Sequence, residues 1–190
     1  MEKTEVRIGG LGGQGVVLAG QILGRAAVYD GKKAVQTQSY GAEARGSLAK
    51  SEVIISNDEK AFPSVRTCDV LIAMNQEAVE KYFKDLKENG TLIVDSTNAD
   101  RIPKTKSKIL AIPATEKAKE IFGDKVYANM IILGALATIK GIVSEKNFEK
   151  AIEDTIAKKD VDINKQAFRK GEELATQQAF TQTKGRSHGL

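Results

Sequence analysis

Two patterns of apolar and polar positions follow one another repeatedly along this chain. Short apolar runs bounded by glycine or polar clusters are typical of buried strands, and apolar positions at every third or fourth residue are typical of helices. Strands are predicted at 5–8, 33–38, 49–56, 69–74, 91–95 and 109–112, and helices at 16–29, 76–86, 115–122, 126–139, 144–158 and 162–180. This order predicts an α/β fold, a three-layer, Rossmann-like open sheet that is mostly parallel and has helices on both faces.

Two elements carry extra information. The first half of the 49–56 strand is polar, which favours an edge or antiparallel position in the sheet. The 126–139 helix is apolar and contains small residues, so that it could pack closely on a neighbour. That neighbour is either another element of the core or a second subunit, and the sequence leaves both open.

The segment from Ile8 to Gly15 holds five glycines among eight residues. Glycine is unfavourable inside helices and strands, so the segment predicts a sharp turn between the first strand and the first helix. Gly10, Gly12 and Gly15 match the G-x-G-x-x-G pattern of phosphate-binding turns, and the following helix start suits an anion. We therefore regard the turn residues as a candidate cofactor-binding site: Gly10, Gly12, Gly13, Gln14 and Gly15. The alternative is that Gly15 only lets the first helix pack on the strand.

A dinucleotide site would also need a carboxylate at the end of the second strand, about 20 residues further on, to bind the ribose. That end reads Thr37-Gln38-Ser39, and Asp30 comes before the strand. The sequence therefore disfavours NAD(P).

A second unusual segment, 39–47, follows this strand and contains Tyr40, Glu43 and Arg45 among small residues. In a parallel sheet it would leave the carboxyl edge beside the glycine turn, where α/β sheets bind ligands. Tyr40 and Arg45 could then hold a planar or anionic group. The plainer alternative is a surface loop with a weak ion pair between Glu43 and Arg45.

Composition limits what this chain can do alone. The length of 190 residues predicts one domain over 1–180, followed by a flexible tail over 181–190. The net charge of +4 is spread along the chain, which argues against a nucleic-acid site, and no apolar run has the length of a membrane span. The polar amino terminus and the single cysteine predict a cytoplasmic protein. Cys68 and His188 alone cannot form a metal centre, an iron–sulfur site or a catalytic triad, so we expect neither catalytic nor metal-binding residues here.

Taken together and in order, the motifs resemble the gamma subunit of the 2-oxoacid:ferredoxin oxidoreductases. The segments that carry the resemblance are GLGGQGVVLAG at 10–20, QTQSYGAEARG at 36–46, SEVII at 51–55, DVLIAMNQEA at 69–78, and the shorter matches at 62–63, 129–130 and 133–134. The pattern Tyr40-Gly-x-Glu43-x-Arg45 is more similar to the 2-oxoglutarate type than to the pyruvate type, where Phe-Gly-x-Glu-Arg-Arg is usual.

The resemblance implies a subunit of an enzyme that converts a 2-oxoacid and CoA to an acyl-CoA and CO₂ and reduces ferredoxin. It implies that alpha, beta and, in some enzymes, delta subunits hold thiamine diphosphate, Mg²⁺ and 4Fe-4S clusters, and that this chain holds none alone. It further implies that the glycine turn and the Tyr40–Arg45 segment lie near the thiamine and CoA region. Two other functions stay open: a stand-alone NAD(P)- or flavin-binding reductase, and a purely structural scaffold subunit.

Overall fold

A six-stranded sheet forms the centre of the computed structural model, which describes residues 3–41, 47–57 and 65–186, with side chains as far as Gln178. The strands of this described part are β1 (Lys3–Leu11), β2 (Lys33–Tyr40), β3 (Leu48–Ser56), β4 (Cys68–Ala73), β5 (Leu86–Asp95) and β6 (Lys108–Ile112). Their order across the sheet is β2-β3-β1-β4-β5-β6. β3 runs antiparallel to both of its neighbours, and β1, β4, β5 and β6 pair in parallel. The predicted α/β class is confirmed. Of the two positions left open for the third strand, edge or antiparallel, the antiparallel one is seen, because β2 lies outside β3.

Helices cover both faces of the sheet. They are α1 (Val16–Tyr29), α2 (Gln76–Tyr82), α3 (Ala114–Phe122), α4 (Ala128–Lys140), α5 (Glu145–Thr155) and α6 (Val161–Arg186), with single 3₁₀ turns at Phe83–Asp85, Lys125–Tyr127 and Lys158–Asp160. The larger core lies between the sheet and α1, α3, α4, α5 and α6. The smaller core lies on the other face beneath α2. Within the described residues, no helix combines the length and the apolar character needed to cross a membrane.

The small residues of α4 pack inside the chain. A Cβ on Gly134 would overlap the carbonyl oxygen of Phe168 on α6 and would lie 2.9 Å from its carbon. The reverse holds at Gly171 of α6, where a Cβ would lie 2.7 Å from the carbonyl carbon of Ile131. The two helices therefore cross with their backbones in contact, which decides the question about α4 in favour of the core.

The structure corrects the sequence prediction at the carboxyl end of β1. We expected the five glycines to exclude a strand, but β1 continues through Gly9 and Gly10 to Leu11. Ladder pairing with both neighbours holds this stretch, since Gly10 pairs with Ala49 of β3 and Gly9 with Ala73 of β4. A Cβ on Gly9 would lie 2.7 Å from the ring of Tyr82, so tight packing under α2 favours glycine there.

The predicted 76–86 helix is also wrong at its end. Asn75 caps α2 as expected, accepting a hydrogen bond from the Ala78 N–H at 3.0 Å, but the helix stops at Tyr82. After one 3₁₀ turn the chain enters β5 at Leu86, which pairs with Cys68 of β4, five residues before the predicted start at Thr91. Parallel pairing of β5 with β4 therefore determines the structure at Leu86, although the apolar positions before it have helical spacing.

At the carboxyl end, α5 stops at Thr155 instead of continuing to Lys158, because Ile156 is extended. The backbone of α6 stays helical to Arg186, beyond the expected end at Phe180, so residues 181–186 of the predicted tail continue this helix. The division into a 1–180 domain and a tail stays a prediction.

One acidic side chain lies between α5 and α6. Burial, together with the negative charges of Glu145 and Glu149, raises the pKa of Glu172 to about 7. A substantial fraction of Glu172 is therefore protonated at neutral pH.

Candidate functional site: the carboxyl edge of the sheet

The glycine turn lies at the point where the strand order of the sheet reverses. From β1, the chain passes through α1 to β2 on one side, and it later returns on the other side as β4. Crevices at such switch points, outside the carboxyl ends of parallel strands, are where open α/β sheets bind ligands. From the sequence, we expected the second strand to end beside this turn. The structure adds that antiparallel β3 lies between β2 and β1.

The hairpin between β2 and β3 closes directly beside the turn. The Gly12 N–H donates to the Ser47 carbonyl at 3.0 Å, and the Gly41 N–H donates to the Leu48 carbonyl at 3.1 Å. The two predicted site segments therefore meet at one edge. Tyr40 belongs to this edge and is 62% exposed, whereas Glu43 and Arg45 lie outside the described residues.

Two of the turn glycines need their conformational freedom. Gly13 and Gly15 have φ angles of 92° and 71°, in the left-handed region that disfavours other residues. A Cβ on Gly15 would also lie 2.8 Å from Cγ of Asn129, whose amide donates to the Gly15 carbonyl at 3.3 Å. Gly12 is different, because it is exposed, has ordinary φ, and a Cβ there would lie 3.7 Å from the Ser47 oxygen.

The start of α1 has no side-chain cap. Gly15 occupies the N-cap, and the first turn contains no acidic residue. The first N–H groups of a helix lack partners within the helix, and they carry the positive end of the dipole. This end of α1 can therefore bind an anion through backbone atoms.

Gln14, which we included among the cofactor-binding candidates, is engaged within the chain. Its Oε1 accepts from the Leu11 N–H at 2.7 Å, and its Nε2 donates to the Met74 carbonyl at 3.1 Å. The side chain thus links the end of β1 to Met74, the residue that follows β4. Gly10 lies beneath it in the strand, where a Cβ would lie 2.8 Å from Oε1 of Gln14 and 2.8 Å from Cβ of Met74.

A buried polar network continues along the same edge, and the sequence analysis did not identify it. Asp95, at the end of β5, is fully buried and accepts from the backbone N–H and the hydroxyl of Thr115 at the start of α3. Asn98 donates to Asp95 at 2.9 Å and to Thr115 at 2.8 Å. The clue in the sequence was a carboxylate directly after an apolar strand and before the polar turn 96–98. The network fixes the start of α3, because Asp95 acts on it as a remote helix cap.

A second buried cluster lies under α2, around Arg7. The guanidinium pairs with Glu52 at 2.6 Å and also with Asp85. Nearby, burial raises the pKa of the Cys68 thiol to about 12, so this thiol stays protonated at neutral pH and is not a nucleophile. Among the described residues, we find no group of three or more Cys, His, Asp or Glu side chains that could hold a metal ion.

Comparison with known proteins agrees with this fold. The family model described as pyruvate ferredoxin/flavodoxin oxidoreductase matches residues 5–174. The chain is 46% identical to the 2-oxoglutarate synthase subunit KorC of Methanocaldococcus jannaschii, over 91% of this chain and 94% of that protein.

Two solved structures share the fold. The gamma subunit of a keto/oxoacid ferredoxin oxidoreductase from Geobacter sulfurreducens superposes with a TM-score of 0.82 at 44% identity, over 91% of this chain and 98% of that one. The 2-oxoglutarate:ferredoxin oxidoreductase from Magnetococcus marinus, solved with 2-oxoglutarate, coenzyme A and succinyl-CoA bound, superposes with a TM-score of 0.84 at 27% identity. The match covers 93% of this chain but 31% of that one, so the same fold is part of a longer polypeptide there. The chain described here belongs to the pyruvate ferredoxin/flavodoxin oxidoreductase family.

Proposed function

We propose that this chain is the gamma subunit of a 2-oxoglutarate:ferredoxin oxidoreductase, with no activity of its own when isolated. The assembled enzyme converts 2-oxoglutarate and CoA to succinyl-CoA and CO₂, and the electrons released pass to ferredoxin. The observation that carries this proposal is the 46% identity to a 2-oxoglutarate synthase subunit over nearly the whole length of both chains.

The redox and decarboxylation chemistry belongs to other chains of the complex, the alpha, beta and, where present, delta subunits. Thiamine diphosphate with Mg²⁺ supplies the decarboxylation chemistry when bound, and 4Fe-4S clusters supply the path for electrons. The inventory of this chain supports that division, since four thiolates are the usual cluster ligands and the sequence has Cys68 alone.

The part played by this chain lies at the carboxyl edge of its sheet. We assign CoA binding to the exposed surface formed by Gly12, Gly13 and Tyr40, which we call the carboxyl-edge surface. Glu43 and Arg45 follow Tyr40 in the sequence, and we propose them for the same site. The uncapped start of α1 suits phosphate groups, the glycines let a ligand approach the backbone, and Tyr40 offers an exposed ring. CoA combines phosphates with a planar base, and therefore fits these groups. The surface is open, so a partner subunit would complete the site.

Gly12→Ala tests this assignment cleanly. The added methyl group has room and ordinary backbone geometry, so folding and assembly should be unaffected. If CoA lies on the turn, the methyl group should lower kcat/KM for CoA in the assembled enzyme by about tenfold. Gly24→Ala, inside α1 and away from this surface, is the matched control and should leave the kinetics unchanged. Normal kinetics with Gly12→Ala would remove the turn from the site and favour the scaffold alternative.

Arg45→Ala tests the segment that follows Tyr40 in the sequence, in the same complex. Loss of a cation that contacts a phosphate should raise the KM for CoA, with Arg25→Ala as the control, since Arg25 is exposed on α1 and donates to the Asp154 carbonyl. If both the KM for CoA and the turnover rate stay at the wild-type values, Arg45 is not part of the site.

A titration of the isolated chain with NADH or FAD separates the proposal from the stand-alone reductase. We expect no tight binding of either cofactor, because β2 ends in Gln38, Ser39 and Tyr40 without a carboxylate for a ribose. Turnover of a redox substrate by the purified, solitary chain would refute the proposal.

A further inference from the structure

A cavity of about 370 Å³ opens at the opposite edge of the sheet from the glycine turn. We call it the amino-edge cavity. Its walls come from the first residues of β1, the end of β3, the start of β4 and the end of α4. The charged side chains that line it are Lys3, Lys32, Lys140 and Asp69, with Thr4 and Asn57 as neutral polar neighbours. Three ammonium groups against one carboxylate give the lining an excess of positive charge.

Most of these charges have partners. Lys3 pairs with Glu5 at 2.8 Å, and Lys32 lies 3.4 Å from Asp30 and donates to the Ile142 carbonyl. Asp69 is paired at 2.7 Å with Lys87, from outside the cavity lining. The one carboxylate among the described lining residues is therefore already paired.

Lys140 differs from the other two lysines. It is partly buried, and within the described part of the chain no hydrogen bond or ion pair satisfies its ammonium group. Burial lowers its pKa, the negative charge of Asp69 in the same lining opposes this in part, and the positive charge of Lys108 adds to the lowering. The carbonyl end of α4 gives Lys140 a weak favourable field, but it provides no counter-charge. A bound anion would stabilise a cation that is partly withdrawn from water and has no partner.

We propose that the amino-edge cavity binds a small anion carrying phosphate or carboxylate oxygens, with Lys140 as its principal charge partner and Lys3 and Lys32 at its sides. The volume is within the range of small-molecule sites, roughly 300 to 1,000 Å³, and exceeds what a single phosphate needs. A small organic phosphate or dicarboxylate fits it. This inference does not depend on the proposed function, because it concerns the other edge of the sheet.

The direct test observes the lysine side chains of the full-length chain by NMR while inorganic phosphate is added. Sodium chloride keeps the ionic strength constant, so that general screening is held fixed. We expect saturable shifts of the Lys140 side-chain signals and a rise of the Lys140 pKa towards its ordinary value as phosphate binds. A parallel titration with succinate distinguishes the two chemistries: a response to phosphate alone indicates phosphoryl recognition, and a response to succinate alone indicates carboxylate recognition. A response to both indicates a site that recognises negative charge without distinguishing phosphate from carboxylate.

Lys140→Gln is the matching variant, and Lys119→Gln is the control, because Lys119 is exposed on α3 and lies outside the cavity lining. The affinity for the responding anion should fall about tenfold with Lys140→Gln and stay constant with Lys119→Gln. The wild-type titration needs no variant, so it remains decisive even if Lys140→Gln folds poorly. The absence of saturable shifts with both anions, or an unchanged affinity in Lys140→Gln, overturns the proposal.

Discussion

The crossing of α4 and α6 yields a stability prediction of opposite sign for two glycines of the same chain. Gly134→Ala places a methyl group on a carbonyl oxygen of α6 and 3.0 Å from the Glu172 backbone nitrogen. Neither atom belongs to a flexible side chain, so the helices must separate. Gly24→Ala also changes a buried helical glycine, but there the nearest atom is Cγ1 of Val53 at 3.9 Å, an ordinary contact.

The magnitudes follow from two opposing effects. Alanine is favoured over glycine inside a helix by about 1 kcal/mol, and this gain is available at both positions. Overpacking costs about 1 to 3 kcal/mol where side chains can adjust, and more where backbone meets backbone. We therefore expect Gly134→Ala to lower the free energy of unfolding by about 2 to 3 kcal/mol, or roughly 5 to 10 °C in Tm, and Gly24→Ala to raise it by about 0.5 to 1 kcal/mol.

Urea unfolding of the full-length chain, followed by circular dichroism, measures both changes on one scale. The comparison also bears on the glycine turn, because α4 carries Asn129, which donates to the Gly15 carbonyl. Displacement of α4 should therefore shift the amide signals of the turn in Gly134→Ala but not in Gly24→Ala. If Gly134→Ala is as stable as the wild type, the backbone contact between α4 and α6 is not as close as described.

Three further predictions concern buried polar groups. The raised pKa of Glu172 means that the folded state holds a proton which the unfolded state releases between pH 4.5 and about pH 7. Its contribution is therefore complete below pH 4.5 and lost as the pH rises through 7; partial exposure reduces the loss to about 1 to 2 kcal/mol, and urea unfolding of Glu172→Gln against wild type at several pH values should show this difference. The thiol of Cys68, with a pKa of about 12 against an ordinary value near 9, should react with a thiol reagent at pH 8 roughly a thousandfold more slowly in the folded chain than in urea; equal rates would contradict the described burial. Glu52→Gln leaves the buried Arg7 guanidinium with Asp85 and should cost about 2 to 4 kcal/mol by urea unfolding, whereas replacing Arg7 and Glu52 together by methionine should cost less than the sum of the single changes.

The sequence predicted the α/β class, the bounds of α1 and the cap at Asn75, because periodicity and capping are local properties. It failed where distant pairing decides the structure. Gly9 and Gly10 form a strand because β3 and β4 hold them, and Leu86 begins a strand because β4 lies beside it, although its spacing from Val79 and Phe83 suits a helix.

The candidate site was predicted to a similar extent. The meeting of the glycine turn with the Tyr40 segment followed from the order of the strands and is now seen in the hydrogen bond from Gly12 to Ser47. The engagement of Gln14 with Met74 could not be predicted, because it depends on a residue 60 positions away. The same holds for Asp95 and Thr115, whose pairing depends on how α3 is placed at the sheet edge.

The antiparallel position of β3 separates two tasks that a loop in a simple parallel sheet would have to share. The segment between Gly41 and Ser47 connects the paired strands β2 and β3, and no crossover helix depends on its length. Residues can be inserted, deleted or exchanged there while the central strands keep their alignment. A chimera that carries this stretch from a relative should therefore fold as its parent does.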